Sequence, residues 1–233
     1  MENSTLAAKK PSVASAVVLT RGLPASEVRR RLPRLVFAFV VLGFGIALMV
    51  RADLGLSPWD VLHQGISERT GIGIGTIGIL VGLLVLLTWI PLGERIGLGT
   101  VLNVLIIGTV IDLVLPRLPD QLSDAGQWTF MLAGTFLIGP GAALYLSCGL
   151  GAGPRDGVMT ALVDRGMSLR VIRTVMEVSV LVAGWVLGGT IGIGTVLFAV
   201  TIGPNIHFFL ERWTMPGVAP APGADDAPAT AAD

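Results

Sequence analysis

The sequence predicts an all-α polytopic membrane protein: six transmembrane helices as two inverted three-helix repeats, each with one short broken or interfacial helix. Three observations carry this. The 233 residues are 52% hydrophobic and only 14% charged, with mean hydropathy +0.77. Charge-free apolar runs recur along the chain. The second half also repeats motifs of the first, at an offset of 96 and then 95 residues.

A soluble domain carries roughly 25% charged residues. This chain lacks the polar material to cover a water-facing surface, which argues against a soluble enzyme, a nucleic-acid binder and a disordered protein. One cysteine, Cys148, excludes an internal disulfide and a cysteine-based zinc site. Two histidines, His63 and His207, are too few for a His-rich metal site. No metal and no cofactor are expected.

A membrane helix needs about 20 mostly apolar residues. The first span is Leu35 to Val50, fenced by Arg34 and Arg51. Thr70 to Gly93 is the second, and Ile96 to Pro116, interrupted only by Asp112, the third. Ala125 to Pro154 exceeds one helix, so its end at Gly149–Gly153 reads as unwound. The fifth span starts near Leu169 and the sixth runs from about Gly194 to Leu210, with Gly188–Gly192 as the turn between them. Repeat 1 thus covers residues 35–118 and repeat 2 residues 125–213. Residues 1–34 read as a basic, disordered cytoplasmic segment. Residues 214–233, rich in Ala, Pro and Asp, read as a disordered tail.

Lys and Arg set orientation. With six spans, thirteen of the 16 fall on the side of the N-terminus, and only Arg51, Arg69 and Arg117 fall opposite. Both termini are therefore expected in the cytoplasm.

The repeat aligns Gly45–Asp60 with Gly141–Asp156, identical at seven of 16 positions, including Gly55/Gly151, Pro58/Pro154 and Asp60/Asp156. Ile96–Leu102 matches Ile191–Leu197 at six of seven. Three spans per half is an odd number, so the second half must enter the membrane from the opposite side. The Gly55–Asp60 and Gly151–Asp156 signatures and the Ile-Gly-x-Gly-Thr turns resemble those of the YczE/YyaS/YitT family of bacterial integral membrane proteins, nearest the YczE branch. The resemblance spans roughly residues 35–213. It implies a multi-pass protein of the bacterial inner membrane and little about chemistry.

Each repeat holds a short Pro-x-Asp element. Ser57 is a good N-cap, Pro58 suits the first helical position and Asp60 falls in the first turn of a helix reaching Thr70. Trp59, Leu62 and Ile66 read as its apolar face. The second copy starts Gly153-Pro154-Arg155-Asp156. An Asp here satisfies free backbone N–H groups, which alone explains its recurrence. The functional alternative is a ligand or ion site formed by Gly55, Pro58 and Asp60 with Gly151, Pro154, Arg155 and Asp156. Arg155 either pairs with Asp156 or faces lipid phosphate.

Polar side chains inside spans are costly and normally face protein or water. The candidates are Asn103, Asp112, Glu177, Asn205 and His207. Asp112 and His207 occupy equivalent repeat positions, which suggests either a proton relay or two groups reaching interfacial water. Arg173 and Glu177, spaced i, i+4, read as an ion pair.

No metalloprotease motif, nucleophile elbow or nucleophile–base pair stands out, so no enzyme is expected. Two readings remain. One is a secondary transporter or permease for a small solute. The other is a non-transporting scaffold or regulator acting through a membrane-protein partner or a homo-oligomer. The lipid bilayer is a partner in either case, and no nucleic acid is.

Overall fold

The computed structural model describes residues 24–213. These residues form eight α-helices and no strand. They are α1 (Ala25–Ala52), α2 (Pro58–Thr70), α3 (Ile74–Leu92), α4 (Leu98–Val114, extended by a 3-10 turn at Leu115–Arg117), α5 (Asp124–Cys148), α6 (Pro154–Asp164), α7 (Leu169–Val186) and α8 (Ile193–Trp213).

Five helices are long and apolar enough to cross a membrane: α1, α3, α4 with its turn, α5 and α8. The expected fifth span, α7, does not join them. Its 18 residues carry Arg170, Arg173 and Glu177.

α1 begins at Ala25, ten residues before the predicted start of the first span at Leu35. The physical reason is remote in sequence. Arg31, only 5% exposed, donates to the Cys148 carbonyl at 3.0 Å, and Arg34 donates to the Trp213 carbonyl at 2.8 Å. The basic residues thus cap the C-terminal ends of α5 and α8, where the helix dipole favours cations. Glu27 pairs with Arg30 and Arg31 at 3.2 and 3.4 Å. The rest of the expected N-terminal segment, 1–23, and the expected tail, 214–233, lie outside the described residues.

The helices pack in two layers. In one, α1 lies against α5, with α4 on α1 and α8 on α5. In the other, α2 packs on α7 and α3, and α6 packs on α3 and α7. α3 also packs on α4, which joins the layers along one seam; α7 and α8 do not pack closely. The main core includes Leu35, Phe39 and Met49 of α1 with Met131, Ile138 and Tyr145 of α5. A second cluster joins Leu86 and Trp89 of α3 to Val104 of α4, with Val158 of α6 packed against it. Glycines allow the close crossings. A Cβ on Gly134 of α5 would lie 2.6 Å from the Gly45 carbonyl of α1.

Candidate functional site

The two helix breaks have the same backbone course. α1 ends on Asp53 and α5 on Gly149, both left-handed (φ 52° and 60°). Two residues later come Gly55 (φ +112°) and Gly151 (φ +131°), conformations that need glycine. Extended Ser57 and Gly153 then precede Pro58 and Pro154 at the first helical positions.

Bonds from each half then land on the other in matched pairs. The Gly194 amide donates to the Leu54 carbonyl at 2.7 Å, and the Gly99 amide to the Leu150 carbonyl at 2.9 Å. Arg69 donates to the Leu187 carbonyl at 2.9 Å, and Arg165 to the Leu92 carbonyl at 3.0 Å. Beside the breaks, Gly192 and Gly97 each donate to the threonine three residues on, Thr195 and Thr100, both at 3.3 Å. A Cβ on Gly55 would lie 2.6 Å from the Gly192 nitrogen, and one on Gly151 would lie 3.0 Å from Thr100 Oγ1. Each break is thus the seat of a helix N-terminus from the other half.

The two aspartates occupy different surroundings. Asp60 is buried; the Ser57 hydroxyl donates to its Oδ2 at 2.5 Å, and His63 Nδ1 lies 3.6 Å from Oδ1. The Asp60 amide returns a long bond of 3.4 Å to Ser57 Oγ. Asp156 is only half-buried. The Tyr145 hydroxyl lies 3.5 Å from its Oδ2, and Arg155 Nε lies 3.8 Å from Oδ1, a loose form of the pairing alternative. Asp60 and Asp156 stand on α2 and α6, which are not a closely packed pair.

The face that α2 buries differs from the expected one. Asp60, Val61 and Gly65 are buried, while Trp59, Leu62 and Ile66 are half-buried. The partner explains this. Gly184 of α7 presents bare backbone to Val61 and Gly65, and a Cβ on Gly184 would collide with the α2 backbone. Close approach selects small residues over large apolar ones.

Asp112 does not simply reach interfacial water. Its Oδ1 accepts the Gly75 amide at 2.7 Å, and its Oδ2 accepts the Thr76 amide at 2.7 Å and the Thr76 hydroxyl at 2.6 Å. It caps the N-terminus of α3 from α4. His207 instead stands exposed on α8, 3.1 Å from Glu211. Asp112 thus bonds across to α3, and His207 bonds along its own helix. Arg173 and Glu177 pair on the surface at 3.0 Å, as their spacing predicts. Asn205 donates to the Thr135 and Phe136 carbonyls of α5 at 3.2 and 3.1 Å, a packing role. Asn103 lies half-buried on α4 beside Val104 of the seam.

Sequence reasoning passed over His63 and Tyr145 as site residues, and Arg69 and Arg165 as matched donors. The signals were present: His63 lies i+3 from Asp60, Tyr145 is the sole tyrosine, and Arg69 and Arg165 are themselves 96 apart. Among the described residues no three His, Cys, Asp or Glu side chains converge as a metal would require.

The outward surface is apolar. Leu84, Ile90, Trp185 and Val200 are each more than 60% exposed. Together with five helices of spanning length, this defines a multi-pass helical membrane protein in contact with the lipid bilayer. The model of a family described as of unknown function (DUF6198) matches residues 29–211, and the chain belongs to that family, in its YczE-like part. An uncharacterized protein of Haemophilus influenzae is 44% identical over 178 residues, which is 76% of this chain and 82% of that one. The uncharacterized membrane protein YczE of Bacillus subtilis is 35% identical, over 74% of this chain and 82% of its own. YyaS of the same organism is 31% identical, over 73% and 88%. No solved structure matches the chain.

Proposed function

We propose that the chain is a secondary transporter or permease for a small solute, built from two inverted repeats of three spans. The observation that carries this reading is the set of matched bonds between the halves, centred on two broken-helix elements with an aspartate in each first turn. Paired broken helices at a repeat interface are where such proteins place their sites. In this reading α7 also crosses the membrane, as the fifth of six spans. At about 1.5 Å per residue its 18 residues give about 27 Å. Val171, Val175, Val178 and Val182 face outward, and Arg173 and Glu177 offset each other's charge. Both termini lie in the cytoplasm of a bacterial cell, and the protein catalyses no reaction.

Flux into liposomes from a mixture of labelled small solutes tests the reading. Wild type is expected to move one solute class, and Asp60→Asn to move it more slowly while still folded. Absence of flux with any solute, in vesicles holding folded protein, would overturn the transport reading. Cys148 is fully buried, so its labelling cannot report topology. Introduced thiols at positions 68 and 94 can. An impermeant reagent should reach residue 68 in intact cells and residue 94 only after permeabilisation.

A specific observation favours the rival reading of a non-transporting scaffold. The Asp60 carboxylate accepts the hydroxyl of the N-cap Ser57, and Asp112 accepts two first-turn amides of α3, partners that a purely structural role would also use. Co-purification of one stoichiometric membrane partner, without flux, would support it.

A further inference from the structure

The two seams between the layers are unequal, and the inequality follows the repeat. At the α3–α4 seam the backbones touch: a Cβ on Gly108 would collide with the Gly75 carbonyl and lie 2.6 Å from Ile79 Cγ1. Val104 packs against Gly82 across it, and Asp112 holds two amides of α3. At the α7–α8 seam, the equivalents of Val104 and Gly108 are Ala199 and Gly203. Nothing lies within 4 Å of a Cβ placed on Gly203. The equivalent of Asp112 is His207, bonded to its own helix neighbour Glu211. Ser168, at the N-cap of α7, makes no side-chain capping bond.

We propose that the α7–α8 seam is a lateral gate, with the α3–α4 seam as its hinge. α7 closes on α8 as a unit with α2, to which it is tied by Arg69 through the Leu187 and Val186 carbonyls. The occupant of the open seam is therefore the chain's own helix. The argument is that the equivalent seam shows how these two helices fit. The small residues Gly203 and Ala199 leave room for that approach. The inference rests on the duplicated architecture proposed above, but its test needs no solute.

The test uses paired cysteines in the full-length protein in native membranes. Thr174→Cys with Gly203→Cys reproduces, in the α7–α8 seam, the Ile79–Gly108 contact of the shut seam. Gly82→Cys with Val104→Cys is the control within the shut seam, where a Cβ on Gly82 would lie 3.1 Å from Val104. Wild type, whose only thiol is buried, is the blank. Hinge motions take microseconds to milliseconds, far less than thiol oxidation, so the gate pair is expected to cross-link within about tenfold of the control rate. The product should be a monomer with shifted mobility. A control that cross-links while the gate pair does not would make the gap static and overturn the gate. A cross-linked dimer would overturn it too, by placing a second copy in the seam. Size-exclusion and thermal unfolding of each variant establish that it is folded. Flux without a gate cross-link would sink the gate alone; a gate cross-link without flux would sink only the transport reading.

Discussion

The α3–α4 and α7–α8 pairs begin from related sequence and end in different packing. Both second helices open with a Gly-x-Gly-Thr turn seated on the opposite half's helix break. At their far ends they diverge. Asp112 reaches across to α3, whereas His207 turns along its own helix. Backbone geometry at the breaks is thus shared, while side-chain volume and charge decide whether a seam shuts. The two pairs keep the same joints and differ at single positions such as Asp112 against His207.

The sharpest way to break this comparison is to treat equivalent glycines alike. Gly108→Ala drives a methyl into the Gly75 carbonyl and should cost about 3 kcal/mol, the scale of overpacking. Gly203→Ala enters open space and should stay within about 0.5 kcal/mol. Thermal unfolding in detergent measures both, and equal losses would end the claim that the seams differ.

The shared joints give the next effect. Gly55→Ala and Gly151→Ala both force a side chain into a positive-φ conformation, at a cost of order 1–3 kcal/mol each. Gly55→Ala should be the worse of the two, because it meets backbone nitrogen, whereas Gly151→Ala meets a threonine hydroxyl. A neutral result at either position would contradict the common course of the two breaks.

Removing the caps should separate the seams again, more mildly. Asp112→Ala should lose about 1–2 kcal/mol, the usual range for a lost N-terminal cap. His207→Ala, which breaks only an exposed pair, should lose less than about 0.5 kcal/mol. Faster amide exchange at Gly75 and Thr76 in Asp112→Ala would trace the loss to α3.

The smallest effect is in the α3–α4 loop. Partial burial and, secondarily, Asp164 raise the Glu94 carboxyl above its ordinary value, against the opposing pull of Arg165. A carboxyl raised in the folded state favours folding fully below its unfolded pKa, and that contribution is lost as pH rises through the folded pKa. Glu94→Gln should therefore gain on wild type in melting temperature between about pH 4 and pH 7. A difference that shrinks over that interval would reverse the sign.

Much of the fold was legible because its signals are local. Ser57-Pro58 set the start of α2, and the predicted end at Thr70 is the observed one. The glycine-rich stretch after Cys148 and the turn at Gly188–Gly192 fall where the chain leaves its helices. The start of α1 was not legible, because a run of arginines shows nothing of the Cys148 and Trp213 carbonyls it will cap. The buried face of α2 was hidden for the same reason. Val61 and Gly65 owe their burial to Gly184, more than 100 residues away. At the site, the sequence marked Asp60 and Asp156 as equals, but only Asp60 is enclosed by its own helix's Ser57 and His63.

The sequence by itself determined the membrane character, the helix breaks and the pairing of positions between the halves. These follow from transfer energies of apolar runs and from backbone preferences of Gly and Pro, which act within a few residues. Only the tertiary structure decided which seam is shut and which aspartate is buried. Those outcomes depend on which backbones come into contact. Gly108 and Gly203 are the same residue at equivalent positions; one meets a carbonyl and the other meets nothing, and no local property of glycine distinguishes them.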